Sequence, residues 1–345
     1  TRLTAIDTPR CLSHSSSNYL RRGVAYKGEG RALTTTPRRV VSTDGVSLAV
    51  YESGDAGAPT VVAVHGFPDN HAVWDGVVDL LAERYHVVTY DVRGAGQSDK
   101  PGAVSAYRMP RLVDDITAVI DVVSPNEPVH VLGHDWGSIQ SWPAMTHESL
   151  AGRIASFTSI SGPSLDHSGA WLRRVHEHPR ASLRQLSHSY YIVMFQLPGL
   201  PEFLARTGLL DRGIRIAARR ARSAAAVGVE PPRSVADKVN GISLYRANMI
   251  GTVGRPRPVR TQVPVQVIVP AKDPYVTSDL VIEAPKPWVE NLTVHRISGG
   301  HWVVSERPDV IARLFSGFVD SLPTTGPPSR PRADPRRSGS ADRLR

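Results

Sequence analysis

A chain of 345 residues with 41% apolar and 21% charged side chains holds ample core material, and is long for one domain and short for two. Its formal charge of +9 sits at the ends: residues 1–39 carry +6 and residues 322–345 carry +4, leaving −1 for residues 40–321, which removes the main support for a nucleic-acid partner. One cysteine, Cys11, excludes an internal disulfide and a cysteine-built metal cluster, which fits a cytoplasmic site, and neither an apolar run of the ~18 residues of a membrane span nor a signal-peptide core is present.

Residues 1–39 form a basic leader, expected to be disordered, and residues 322–345 a Pro/Arg/Ser tail expected to be the same, because neither composition can bury a core. The chain opens on Thr1 and its first methionine is Met109, so its start reads as trimmed or wrongly assigned. From residue 40 onward, strand-like and helix-like segments alternate, which predicts an α/β fold, a mostly parallel sheet with helices on both faces. Strands are expected at 46–52, 60–65, 86–91, 128–133, 154–160, 264–269 and 292–297. Asp69 or Asn70 is a candidate cap for a helix over 71–84, and Leu112, Ile116, Val119, Ile120 and Val123 share one face of a helix over 110–123. Residues 163–262 break the rhythm with helical, arginine-rich sequence that contains no clear strand. The expected organisation is a core of 40–162 and 263–321 with a helical cap inserted at 163–262.

The stretch GHDWG at 133–137 ends a strand, holds an acid between two glycines and opens a helix. That is the pattern of a nucleophile elbow, a strained turn that exposes one side chain, with Asp135 where a serine often stands. A carboxylate there suits displacement at a saturated carbon and an ester on the enzyme; the alternative is a turn whose aspartate merely caps a helix. Three other segments fall at strand ends. HGFPD at 65–69 can aim the backbone N–H of Phe67, together with that of Trp136, at developing negative charge. Asp273 follows the strand at 264–269 and His301 the strand at 292–297, giving the order Asp135, Asp273, His301 of nucleophile, acid and base.

With HGFPD, YDVRGAGQSDKP, GHDWGS, KDPYV and GGHW in view, residues 44–321 resemble the α/β-hydrolase superfamily and, within it, the epoxide hydrolases. The chain is also similar to the hydrolase half of bacterial proteins in which an epoxide hydrolase precedes a short-chain dehydrogenase. The resemblance implies two cap tyrosines that protonate the epoxide oxygen: SYYIVMFQLPG places Tyr191 in that position and LYRANM places Tyr245. It further implies substrate contacts at His65, Pro68, Trp136 and Tyr190, and a reaction of a small-molecule epoxide with water that requires neither cofactor nor metal. Two alternatives stay open, a haloalkane dehalogenase, which usually has Asn where Phe67 stands, and a non-catalytic binding protein on the same fold.

Other features read more plainly. RGAGQS at 93–98 lacks the third glycine of a dinucleotide loop. His176 and His178 have no metal-site spacing and are expected at the surface. Arg212, Arg215, Arg219 and Arg222 share one face of a helix, ordinarily a solvated one, with acidic lipid as the other reading. Pro143 is expected to kink or shorten the helix behind the elbow, which puts the elbow's rear support in doubt.

Overall fold

A computed structural model describes residues 2–5, 36–221 and 233–323. Among these residues nine strands form one sheet: β1 (Arg2–Ala5), β2 (Arg38–Val41), β3 (Ser47–Ser53), β4 (Thr60–Val64), β5 (His86–Asp91), β6 (Val129–His134), β7 (Ile154–Ile160), β8 (Val265–Pro270) and β9 (Leu292–Ile297). Their spatial order is β1-β9-β8-β7-β6-β4-β5-β3-β2, and every pairing is parallel except β2 with β3 and β3 with β5. Runs such as TVVAV in β4 are buried at every position, as a parallel sheet covered on both faces demands.

Helices α1 (Asp75–Leu81), α2 (Met109–Val123) and α3 (Trp136–Ala144) follow the first parallel strands. Among the described residues between β7 and β8 lie six helices: α4 (Leu165–Arg173), α5 (Pro179–His188), α6 (Tyr190–Gln196), α7 (Leu200–Arg206), α8 (Leu209–Ala221) and α9 (Val235–Gly254). The chain closes with α10 (Ser278–Glu283), α11 (Val303–Glu306) and α12 (Pro308–Asp320). One apolar core joins the sheet to α2, and a second lies on the opposite face under α1 and α12. A third links Phe67 and Trp136 of the sheet's C-terminal edge to Phe195 and Tyr245 of the inserted helices.

Three expectations need correction. The leader does not stand wholly apart from the sheet. Residues 2–5 pair in parallel with β9, and residues 38–41 pair with β3. Edge strands need only one backbone partner, and β2 buries Val40 alone, so no apolar run announces it. The rest of the leader and the tail from 324 lie outside the described residues. Second, His178 is half-buried and engaged: its ring stacks on Trp171 at 3.9 Å and its Nδ1 meets the Ser182 hydroxyl at 2.8 Å, whereas His176 is exposed. Third, the helix predicted over 71–84 is a 3-10 turn at His71–Trp74 running into α1, capped by Asn70, whose side chain accepts the Ala72 N–H. Arg212, Arg215 and Arg219 do lie on the exposed side of α8, opposite buried Ile214 and Ala218; Arg222 lies outside the described residues.

Candidate active site

Asp135 sits between β6 and α3 with φ of 51° and ψ of −124°, a left-handed conformation that L-residues avoid. The flanking glycines make the turn possible. A Cβ on Gly137 would stand 1.9 Å from the Val64 carbonyl oxygen, and one on Gly133 would stand 2.6 Å from Cα of Ser138. The helix behind is short, as Pro143 predicts, yet well held: Ser138 Oγ and Trp142 Nε1 both donate to the Gly162 carbonyl, at 2.6 and 3.0 Å. The doubt about the elbow's rear support is thereby removed.

The two oxygens of Asp135 face different partners. Oδ2 accepts the Phe67 N–H at 2.7 Å, and Oδ1 lies 3.5 Å from His301 Nε2. The Trp136 nitrogen shares with Oδ2 the space left by Gly66, where an added Cβ would be 2.5 Å from each. His301 donates through Nδ1 to Asp273 Oδ2 at 2.9 Å, while Asp273 Oδ1 accepts the N–H groups of Tyr275 and Val276 at 2.8 and 3.2 Å. Burial alone would lower the His301 pKa, but the charge of Asp273 and hydrogen bonds to Asp135 and Asp273 override it and push it up to about 10. Burial likewise opposes ionisation of Asp273, and the facing imidazolium outweighs it, holding the carboxyl below its usual range.

A cavity with two lobes, of about 310 and 370 Å³, meets at Asp135. Tyr190, Tyr191, Tyr245 and Tyr275 line both lobes with it. Burial, then the neighbouring negative charge of Asp135, raises the Tyr191 hydroxyl well above its ordinary pKa; Tyr245 is raised by burial, by Tyr191 and by Asp135. Both hydroxyls therefore keep their protons at neutral pH. The two rings stand edge to face at 5.8 Å, and Tyr245 packs on Trp136 at 4.9 Å.

Of the ten residues singled out from sequence, eight line the cavity and a ninth, Asp273, reaches it only through its hydrogen bond with His301. Pro68 and Phe67 line the second lobe, Trp136 the first, and Tyr190 both, with its side chain largely exposed. His65 does not reach the cavity. It is fully buried, donates through Nδ1 to the Gly66 carbonyl at 2.9 Å and accepts the Val92 N–H on Nε2 at 3.0 Å, so its ring holds two loops in place and has no nitrogen left for a substrate.

Several residues escaped the sequence reading. His134 donates through Nε2 to the His301 carbonyl at 2.8 Å, and burial and the charge of His301 lower its pKa to about 4, so it stays neutral. Asp69 accepts from Arg233 Nε at 2.6 Å and from Trp302 Nε1 at 2.9 Å. Gln185 of α5 accepts the N–H and hydroxyl of Thr277, each at 2.8 Å, and donates to the Tyr275 carbonyl at 3.1 Å, which ties the insertion to the loop carrying Asp273. His134 and Asp69 stand inside the quoted motifs and were within reach; Gln185 and Arg233 carry no local signal.

Residues 59–308 match a family model described as alpha/beta hydrolase fold. The chain is 40% identical over 296 residues to "Probable oxidoreductase EphD" of Mycobacterium tuberculosis, a match that covers 82% of this chain and 49% of that protein. It is 37% identical over 168 residues to "Epoxide hydrolase A" of the same organism, covering 48% of this chain and 49% of that one. The aligned region thus spans about half the length of these curated relatives, 49% in both cases. Among solved structures, one of novel epoxide hydrolases from metagenomes of hot environments superposes with a TM-score of 0.68 at 23% identity, covering 83% of this chain and 99% of that one. The Bacillus megaterium epoxide hydrolase bound to an inhibitor gives a TM-score of 0.67 at 21% identity, covering 82% and 100%. At such identities the likeness is one of fold.

Proposed function

The chain belongs to the α/β-hydrolase fold family, and on that premise we propose that it hydrolyses an epoxide to a vicinal diol through a covalent ester on Asp135, with the helices of 163–262 acting as the cap over the site. One observation carries the reading. The elbow presents a carboxylate, not a hydroxyl, with Oδ2 on the Phe67 amide and Oδ1 toward His301, at the meeting point of two lobes lined by protonated tyrosines.

In the first step Oδ1 attacks one epoxide carbon, the C–O bond breaks, and the departing oxygen takes a proton from Tyr191 or Tyr245. Oδ2 then becomes the ester carbonyl, already seated on the Phe67 N–H with the Trp136 N–H beside it. That places these donors at the atom that turns negative when water adds, where preorganised N–H groups stabilise most. In the second step His301 must be neutral to take the proton from water. Alkylation removes the charge of Asp135, one of the two carboxylates that hold the imidazole protonated, so ester formation itself lowers the His301 pKa and prepares the base. The proton that His301 gives up on alkylation passes to the tyrosinate. After water has added, the tetrahedral species collapses, the new carboxyl protonates the leaving alkoxide, the diol leaves, and His301, holding the proton taken from water, is back in its resting charged state. Neither step needs a cofactor.

Mass spectrometry tests this directly. A His301→Gln protein mixed with a styrene-type epoxide is expected to gain the mass of one substrate on Asp135 and stop there, and Asp135→Ala to gain nothing. Normal turnover by His301→Gln, an adduct on another residue, or halide release from haloalkanes without diol formation would overturn the reading.

A further inference from the structure

The charge of the chain between residues 40 and 321 is nearly balanced only as a sum. Residues 163–262 hold sixteen Arg and Lys against six Asp and Glu, whereas residues 40–162 and 263–321 hold eleven against twenty-two. The insertion is therefore +10 and the body −11. Arg180, Arg184, Arg206, Arg215, Arg219 and Arg255 are among the exposed cations of the insertion. Two of its acids are already engaged, Glu202 with Arg246 and Asp211 with Lys238.

The same helices display apolar side chains to solvent. Leu183, Leu186, Tyr190, Val193, Phe203 and Ile250 expose between 56% and 72% of their surface. Four of them, Leu186, Tyr190, Val193 and Ile250, also line the first lobe, so exposed apolar surface of the insertion reaches the rim of the cavity. Leu183, Leu186, Tyr190 and Val193 recur at intervals of three, four and three along α5 and α6, the spacing of a helical stripe that ordinarily faces a core. A soluble surface rarely carries such a patch without a partner.

We propose that this ridge docks on an anionic membrane surface and sets the mouth of the first lobe against the lipid. Charge selects the partner. The chain's own two ends are basic, at +6 and +4, and would be repelled, as would the insertion of a second copy. The −11 body of a second copy would be attracted but is covered by charge, whereas an exposed apolar ridge on helices that also carry exposed arginines fits the apolar and anionic layers of a lipid interface together. The contact is peripheral, since no helix among the described residues is long and apolar enough to cross a membrane. Docking would let an epoxide dissolved in the acyl layer enter without crossing water. That consequence rests on the proposed reaction, whereas vesicle binding is measured without any substrate, so failure of one is separable from failure of the other.

Co-sedimentation of the full chain with vesicles of phosphatidylglycerol or phosphatidylcholine tests the proposal. Binding to the first is expected to be strong, to weaken with salt and to exceed that to the second by at least about tenfold, since each arginine near an anionic surface contributes about fivefold. Replacing Leu183, Val193 and Phe203 together by Ser is expected to cut binding by about tenfold or more with the basic ends unchanged. Wild-type binding by that variant would assign the lipid to the ends and overturn the proposal, as would a wild-type chain that ignores phosphatidylglycerol or forms a dimer that the variant dissolves. Should the triple variant misfold, a polarity-sensitive dye on Val193→Cys, with Cys11→Ser, decides: a blue shift with phosphatidylglycerol vesicles supports the docking, and an unchanged spectrum excludes it.

Discussion

His301 lies between two carboxylates, 2.9 Å from Asp273 and 3.5 Å from Asp135. The folded chain therefore keeps a proton that the unfolded chain releases near pH 6.5, its own release coming only at about pH 10. The stabilisation from this proton is whole below about pH 6.5 and is lost as pH rises through the folded value of about 10. Urea unfolding at stepped pH is expected to show the free energy of unfolding falling from neutral pH toward pH 10, with a shallower slope in His301→Gln; equal slopes in the two proteins would mean the imidazole is neutral at rest.

The elbow depends on what its backbone approaches. A Cβ at position 137 would strike the Val64 carbonyl of β4 at 1.9 Å, a backbone atom inside the sheet that cannot yield, so Gly137→Ala is expected to cost about 3 kcal/mol or more, seen as a lower melting temperature or insoluble protein. Gly213→Ala, on the exposed face of α8 with nothing within 4 Å of its would-be Cβ, is the matched control and is expected to gain about 0.5–1 kcal/mol. What could be read from the sequence divides along the same line. Fully buried parallel strands leave apolar runs, a strained turn demands glycines at fixed offsets, and the order of Asp135, Asp273 and His301 follows from strand ends, so the body of the fold and the meeting of these three side chains were legible. β1 and β2 were not, because an edge needs no apolar pattern. Gln185 and Arg233 were not, because their partners Thr277 and Asp69 lie 92 and 164 residues away in the chain, and nothing local distinguishes a bridging side chain from a solvated one.

At the scale of the molecule, insertion and body are joined by a few directed ties. Asn248 of α9 donates to the carbonyls of Tyr107 and Leu244 at 2.8 and 2.9 Å and accepts the Met109 N–H at 2.8 Å; Asp237 accepts the Gly96 N–H at 2.9 Å. Asn248→Leu leaves two backbone groups of the body without partners and is expected to lower the free energy of unfolding by about 2–4 kcal/mol in urea titration, and to slow ring opening because Tyr245 rides on the same helix. Unchanged stability would mean that apolar contact alone seats the insertion. The pair between Asp69 and Arg233 is a tie of another kind. Asp69 also holds the indole of Trp302, next in sequence to the base, and the Arg233 guanidinium lies over that indole at 4.6 Å. Were Arg233 drawn away, Asp69 would lose its ion pair and Trp302 its cation–π partner, loosening the support beside His301 in the same movement. Under the proposed reaction, readiness of His301 and release of the insertion would then exclude one another in time, because one carboxylate, Asp69, braces both the indole beside the histidine and the arginine that enters from the insertion.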